Sequence, residues 1–144
     1  RWYATGPCHA IQLQNGALLV PANFSSSPDH ADWRSHGIRS DDGGLTWRIS
    51  HVQPGYTNES TVAELADGRL YQNMRSYHGR HRRQVSWSSD GGTTWTEARD
   101  DDALVEPVCQ ASVLALPASA DAPVPVLFSN PASTRRERMT IRYS

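Results

Sequence analysis

The sequence predicts an all-β fold of the β-propeller type, in which four-stranded antiparallel sheets surround a central channel. A turn motif of the form Ser-x-Asp-Gly-Gly-x-Thr-Trp occurs twice, and Asn-Gly or Asp-Gly turns alternate with it. Glycine, proline and serine interrupt the chain throughout, and no apolar period of 3.6 residues is sustained. These observations favour short strands joined by turns over helices.

The longer motif spans residues 40–47 and again residues 88–95. Its serine and aspartate side chains can bond nearby backbone amides, its glycines permit the turn, and its tryptophan can pack into a sheet. We therefore interpret Asp42 and Asp90 as structural turn residues rather than as catalytic or calcium-binding carboxylates. Calcium normally takes six or more oxygen ligands, and neither motif gathers that many.

The shorter motif places Asn15-Gly16 and Asp67-Gly68 between alternating apolar residues, which predicts two hairpins. Its phase relative to the longer motif gives strand, hairpin turn, strand, loop, strand, Asp-containing turn and strand. Four antiparallel strands in about 50 residues are typical of one propeller blade.

The last residues, Thr140–Ser144, are predicted to form the strand that precedes a third Asp-containing turn. We treat residues 1–144 as one partial propeller domain of roughly two and three-quarter blades. Because a closed propeller needs at least four blades, we expect further sequence downstream and upstream.

The hairpin at Asp67 brings Glu59 and Arg75 towards each other. A three-residue turn would set them opposite one another, on the same face of the sheet. A two-residue turn would place them one position out of register, on opposite faces. The sequence alone is compatible with both turns.

The balance of charge, 14 basic against 15 acidic residues, gives no global field that would attract nucleic acid or an anionic membrane. All the basic residues are arginine. The basic run at residues 80–83 has a single aromatic neighbour, Trp87, and we interpret it as an exposed loop within a blade. No apolar run approaches the ~20 residues that span a bilayer.

The two cysteines, Cys8 and Cys109, fit neither a disulfide framework nor a zinc site and are predicted to be buried free thiols. The histidines are scattered, and no metal site is predicted. Cys8, Glu59 and Cys109 share one phase, at the start of each repeat's first strand, and first strands line a propeller channel. Gln110 is therefore predicted near the candidate site, and His9 along the channel.

The two Asp-containing motifs, with NESTVAELADGRLYQNMR at residues 58–75 between them, resemble bacterial exo-sialidases of the six-bladed neuraminidase family. The resemblance covers nearly the whole chain. Residues 127–140 resemble the family segment that carries an active-site arginine. Residues 6–13 are similar to a Gly-Pro-Gly-His-type strand of that family, from which Cys8 departs.

This resemblance implies retaining hydrolysis of terminal sialic acid by three arginines, a tyrosine nucleophile assisted by a glutamate, and an aspartate acid/base. It implies no metal and no organic cofactor. By position Glu59 matches the glutamate and Arg75 the second arginine. Arg136, four residues before Thr140, matches the third arginine, with Arg135 as the alternative.

The remaining catalytic parts are expected outside this chain, so the segment alone is not expected to turn over substrate. The predicted partners are sialylated glycoproteins, glycolipids and oligosaccharides, and a secreted or periplasmic location fits them. One alternative is a non-catalytic propeller with the same Asp-containing turns (Asp boxes), which binds sialylated or other glycans. Another is a hydrolase of a different polysaccharide, which would show aromatic platforms and a carboxylate pair.

Overall fold

The computed structural model describes residues 1–29, 31–116 and 126–144, in which twelve β-strands form three antiparallel sheets. The first sheet contains β1 (Trp2–Thr5), β2 (Ile11–Gln12), β3 (Leu18–Ser25), β4 (Arg34–Ser40) and β5 (Arg48–Val52). The second contains β6 (Thr57–Glu64), β7 (Leu70–Ser76), β8 (Arg82–Ser88) and β9 (Arg99–Val105). The third contains β10 (Ser112–Ala115), β11 (Val126–Pro131) and β12 (Met139–Tyr143). The described ranges hold no helix that could cross a membrane, and the all-β prediction is confirmed.

The second sheet has the four strands predicted for one repeat, in the order β6-β7-β8-β9. The third sheet ends in β12, which confirms the strand predicted at the end of the sequence. The first sheet differs from the prediction because its first strand is divided into β1 and β2. Both of these strands pair with β3, along consecutive segments of it.

The division in the first sheet begins at Gly6, whose φ is +83°. A Cβ at this position would lie 2.8 Å from the backbone nitrogen of Cys8, so a side chain does not fit. The interruption carries Pro7 to a parallel bridge with Ser60 of β6. It also brings the Cys8 thiol to the carbonyl oxygen of Ala111, 3.2 Å away and next to β10. The first strands of all three sheets therefore converge on one region.

Both hairpins close with three-residue turns. In the second sheet, the Leu65 N–H donates to the Arg69 carbonyl oxygen at 2.8 Å, and Gly68 has a φ of +80°. The equivalent turn before β3 uses Gly16 with a φ of +87°. A left-handed glycine at the end of a three-residue turn is a common hairpin geometry. The three-residue alternative is thus the one that forms.

The second Asp-containing motif folds as a self-bonded turn after β8. The Ser88 hydroxyl accepts the Gly92 N–H at 2.8 Å, and Asp90 accepts the Thr94 N–H and hydroxyl at 2.9 and 2.6 Å. The Trp95 indole donates to the Gly92 carbonyl oxygen at 3.0 Å. Hydrogen bonds from Thr94 lower the pKa of Asp90 to about 2. The first motif makes the same bonds, so the structural interpretation is confirmed.

Two apolar clusters join neighbouring sheets. Between the first and second sheets, the buried residues are Leu13, Ala17, Leu19, Val62 and Leu70, with Ile11 and Trp95 packed against them. Between the second and third sheets, they are Ala63, Leu104, Ala111, Val113 and Phe128, with Tyr71, Ala115 and Val126 beside them. Each sheet therefore buries its faces against its neighbours in the chain.

Strand direction gives each sheet two different edges. The word edge refers here to the two ends of the strands and not to an outer strand. The upper edge is the end at which β6 begins and β7 finishes, and the lower edge carries the hairpin turns and the Asp-containing turns. β11 ends at the upper edge, because Asn130 at that end donates its Nδ2–H to the carbonyl oxygen of Val105 at the end of β9, 2.8 Å away. The β11–β12 connection therefore lies on the same edge as the start of β6.

The basic run at residues 80–83 is divided by the fold, and the prediction of an exposed loop is wrong for Arg82 and Arg83, which both lie in β8. Arg80 lies in the exposed connection before β8, whereas Arg83 belongs to β8. The Arg83 side chain is 0% exposed and pairs with Glu106. Arg83 lies two residues before the buried Val85, and strand alternation puts both on one face. This alternation within the sequence could have indicated that Arg83 is buried.

Candidate functional site

Glu59 and Arg75 meet at the upper edge of the second sheet. Arg75 Nη1 donates to Glu59 Oε2 at 2.9 Å, and the two side chains are 17% (Arg75) and 27% (Glu59) exposed. The β6–β7 register shifts between Thr57 and Ser60, so the pair lies at an irregularity in the ladder. Burial is the largest single influence and disfavours the guanidinium charge. The hydrogen bond to Glu59, together with the charge interactions with Tyr77, Glu59 and Glu106, outweighs burial, so the pKa of Arg75 is raised. The edge therefore holds a permanent cation that is partly open to solvent.

An aromatic side chain lies against this cation. The Arg75 Cζ is 4.9 Å from the centroid of the Tyr77 ring. The Tyr77 hydroxyl accepts the Asn58 Nδ2–H at 3.3 Å, and its backbone N–H donates to the Tyr56 carbonyl oxygen at 2.8 Å. The Tyr77 and Trp33 rings are stacked, with centroids 6.4 Å apart and planes at 19°. No motif in the sequence indicates this cluster, whose residues come from separate parts of the chain.

Arg136 lies in the β11–β12 connection on the upper edge, and its side chain is exposed. Within the described ranges its side chain makes no hydrogen bond or ion pair, including with Glu59 of the second sheet. Its charge is near Cys109, where it partly offsets the burial that raises the pKa of that thiol. Arg135 instead pairs with Glu137 at 3.3 Å, with its side chain 80% exposed. Of the two arginines, Arg136 is therefore the one whose guanidinium is not engaged in an ion pair within the described residues.

Gln110 lies where β10 approaches the interruption in the first sheet. Its Nε2–H donates to Cys8 Sγ at 3.1 Å, and the Cys109 thiol donates to its carbonyl oxygen at 3.5 Å. Both thiols are free, as predicted, but both are only partly buried, so the prediction that they are buried is wrong. The reason is their place at the strand starts, on the open upper edge. A role for Gln110 in binding substrate stays a prediction.

A buried polar network lies directly behind Arg75. Glu106 accepts the Ser76 N–H through Oε1 and Arg83 Nη1–H through Oε2, both at 2.7 Å. Arg83 also donates to the Cys109 carbonyl oxygen and to Asn73 Oδ1, each at 2.6 Å. This network joins the end of β7 to the segment that leads into β10.

A cleft of about 520 Å³ lies between the first strands of the three sheets, below the upper edge. His9, Val62 and Leu114 are among the residues that line it. A place for His9 along the central channel of the propeller stays a prediction. Glu59, Arg75 and Arg136 do not line this cleft. The predicted site therefore lies above the cleft, on the edge itself.

The whole chain, residues 1–144, matches the protein family described as BNR repeat-like domain. The chain belongs to this family. It is similar to a sialidase from Bacteroides fragilis, with 35% identity over 99% of this chain and 27% of the relative. It is also similar to an exo-alpha-sialidase from Aspergillus fumigatus, with 32% identity over 99% of this chain and 32% of the relative.

The solved structures to which this BNR repeat chain is similar include sialidases as well. The Hadza microbial sialidase Hz136 has a TM-score of 0.85 and 36% identity, over 99% of this chain and 28% of that one. Trypanosoma rangeli sialidase in complex with the inhibitor DANA has a TM-score of 0.82 and 25% identity, over 100% and 24%. The resemblance to sialidases and the partial β-propeller fold are confirmed. The chain spans about a quarter to a third of the length of these relatives.

Proposed function

We propose that the protein carrying this chain is an exo-sialidase, which removes terminal sialic acid from glycoproteins, glycolipids or oligosaccharides with retention of configuration. The observation that supports this is the Glu59–Arg75 pair on the upper edge of a chain that is 35% identical to a sialidase. Trypanosoma rangeli sialidase, 25% identical to this chain, has been solved with bound sialic acid. The substrate class proposed here follows from that similarity.

In this proposal Arg75 and Arg136 bind the carboxylate of sialic acid. A guanidinium group offers paired, charge-assisted hydrogen bonds to a carboxylate, which a lysine ammonium does not match. Arg75 uses Nη1 for Glu59 and keeps further donors for a ligand. Arg136 is exposed and makes no hydrogen bond or ion pair in the part of the chain that the structure describes.

Glu59 is proposed to draw the proton from a phenol and so to activate a tyrosine nucleophile. A carboxylate nucleophile would approach the substrate's own carboxylate, which is why sialidases differ from most glycosidases. The proposal assigns the nucleophile, the acid/base aspartate and the first arginine to no residue of this chain. It therefore concerns the intact protein, and we propose that residues 1–144 alone are inactive.

Hydrolysis of a fluorogenic sialoside by the intact protein tests the proposal. We expect Glu59→Gln to lower kcat by about 10²-fold or more, because it removes a general base. Arg75→Ala should lower kcat/KM by about 10- to 100-fold, the worth of a hydrogen bond to a charged group. The control is Arg69→Ala, which removes an exposed arginine paired with Asp67 at the lower edge. Full activity in Glu59→Gln and Arg75→Ala would contradict the assigned roles.

A comparison of two alanine variants tests whether Arg136 or Arg135 binds the carboxylate. Arg136→Ala should raise KM strongly, whereas Arg135→Ala should leave it unchanged; the reverse result would move the role to Arg135. An intact protein that is inert but still binds sialylated glycans would favour the non-catalytic propeller. A protein that neither cleaves nor binds them would contradict both functions.

The proposed mechanism uses no metal and no organic cofactor, so activity should survive dialysis against EDTA. We also propose a secreted or periplasmic location, because the proposed substrates are glycans presented outside the cytoplasm. Fractionation of the producing cells tests this, and a protein confined to the cytoplasm would contradict it.

A further inference from the structure

We propose that Tyr77 is a positioning residue for Arg75, whose guanidinium it holds in the orientation that a bound carboxylate needs. The inference rests on the function proposed above and deepens it. Tyr77 itself is not proposed to touch the substrate's reacting atoms. Its effect is on how well Arg75 is ordered before substrate arrives.

Arg75 has few other restraints. The only hydrogen bond of its side chain within the described residues runs from Nη1 to Glu59, and its Nε is buried without a hydrogen-bond partner there. A guanidinium fixed at one nitrogen can still rotate about that contact. The Tyr77 ring, 4.9 Å from Cζ, supplies a second point of attachment through a cation–π interaction. Ordering the side chain in advance reduces the entropy lost when a ligand binds.

Tyr77 is suited to this role because it is itself fixed on several sides. Asn58, the neighbour of Glu59, donates to its hydroxyl, and the Tyr56 carbonyl oxygen accepts its backbone N–H. Trp33, from the segment before β4 of the first sheet, stacks on its ring. One side chain therefore links the strand of Glu59, the strand end of Arg75 and the neighbouring sheet.

The same sheet contains a matched contact away from the candidate site. The Cζ of Arg69 lies 5.3 Å from the centroid of the Trp87 ring, at the lower edge. Trp87, like Tyr77, is partly buried and packs on another aromatic ring, that of Tyr71. Removing Trp87 thus reproduces the structural cost of losing an arginine–aromatic contact without changing the upper edge.

The test compares Tyr77→Leu, Tyr77→Phe and Trp87→Leu in the intact protein. We expect Tyr77→Leu to raise KM for a fluorogenic sialoside about 5- to 30-fold with little change in kcat, because it weakens binding of ground state and transition state alike. Tyr77→Phe keeps the ring and should restore KM to within about twofold. Trp87→Leu should lower the melting temperature as Tyr77→Leu does, while leaving KM unchanged.

The dissociation constant for the inhibitor DANA, measured by calorimetry, should rise in parallel with KM. Unchanged KM and unchanged DANA affinity in Tyr77→Leu would overturn the proposal, as would an equal rise in KM for Trp87→Leu. A crystal structure of intact Tyr77→Leu protein decides the matter independently of activity. We expect the Arg75 guanidinium to be displaced or disordered there, and an unmoved, ordered guanidinium overturns the positioning role. An inert parent protein would instead count against the proposed function alone.

Discussion

Arg83 and Glu106 form an ion pair with almost no contact with solvent. Arg83 Nη1 lies 2.7 Å from Glu106 Oε2, and the two side chains are 0% and 1% exposed. Burial lowers the pKa of Arg83 and raises that of Glu106, and the mutual attraction acts against both shifts. Such a pair contributes little net stability relative to an apolar pair, but it is costly to break from one side.

Arg83→Met should therefore destabilise the protein by about 3–5 kcal/mol, because it leaves the Glu106 carboxylate buried without a counter-charge. The double variant Arg83→Met/Glu106→Leu should recover part of this loss, because no unpaired charge remains. Recovery should be incomplete, because the Ser76 N–H, Asn73 Oδ1 and the Cys109 carbonyl oxygen lose their partners. Thermal or urea unfolding measures both. Arg80→Met, which removes an exposed partner of Asp100, is the control and should cost less than about 1 kcal/mol. A loss in Arg83→Met no larger than in this control would contradict the prediction.

The Asp-containing turns give a second prediction. Ser88→Ala should cost about 1–3 kcal/mol, because the Gly92 N–H, bonded to the Ser88 hydroxyl at 2.8 Å, is left without its acceptor in a buried turn. The adjacent Ser89 is exposed, so Ser89→Ala should change stability by less than about 0.5 kcal/mol. Equal melting temperatures for the two variants would show that the serine bond does not hold the turn.

The third prediction concerns two buried histidines, which should make the stability of the fold fall as the pH is lowered. Burial lowers the pKa of His36 and of His51 to about 4, against about 6.5 in an unfolded chain. Between these two pH values the unfolded state binds more protons than the folded state. The contribution of the two neutral histidines to the free energy of unfolding is therefore fully present above pH 6.5 and is lost as the pH falls towards 4. Melting temperatures from pH 7.5 to 4.5 measure this.

His51→Phe provides the matched variant for that measurement. Phenylalanine can keep the stacking on Trp95, whose ring centroid is 4.4 Å from that of His51, but it does not titrate. We expect a flatter pH profile in this variant. An unchanged slope between pH 6.5 and 4.5 would exclude His51 as a source of the pH dependence.

The thiol of Cys109 gives a fourth prediction. Burial raises the pKa of Cys109, and the nearby charge of Arg136 partly opposes that rise. In a Cys8→Ser background, Cys109 should react with iodoacetamide more slowly at pH 7.5 than free cysteine does, because less thiolate is present. Adding Arg136→Ala should slow the reaction further. Faster labelling after that change would place Arg136 away from the thiol.

The parts of the fold that were predictable from sequence are the local ones. The turns at Asp67-Gly68 and in the Asp-containing motifs are closed by residues a few positions apart, so the chemistry of each turn is visible in a short window. The pairing of Glu59 with Arg75 was predictable as one of two alternatives. The choice depended on a turn of three residues rather than two, which the sequence did not decide.

The features that were missed depend on distant contacts. Arg83 reads as part of a basic run, yet it meets Glu106 and Cys109, 23 and 26 positions away. The stacking of Tyr77 on Trp33 joins segments that flank strands of different sheets, and no local pattern indicates it. The division of the first strand likewise brings Pro7 to a bridge with Ser60 of the neighbouring sheet, a contact that no local pattern indicates.

The separation of upper and lower edges has a consequence for divergence among related proteins. The bonds that close the hairpin turns and the Asp-containing turns, such as those of Asp90, lie at the lower edge, whereas Glu59, Arg75 and Arg136 lie at the upper one. Selection for a new ligand can therefore act on the upper loops without loosening the turns that keep the strands in register. A family built in this way can change what it recognises while its repeats stay recognisable.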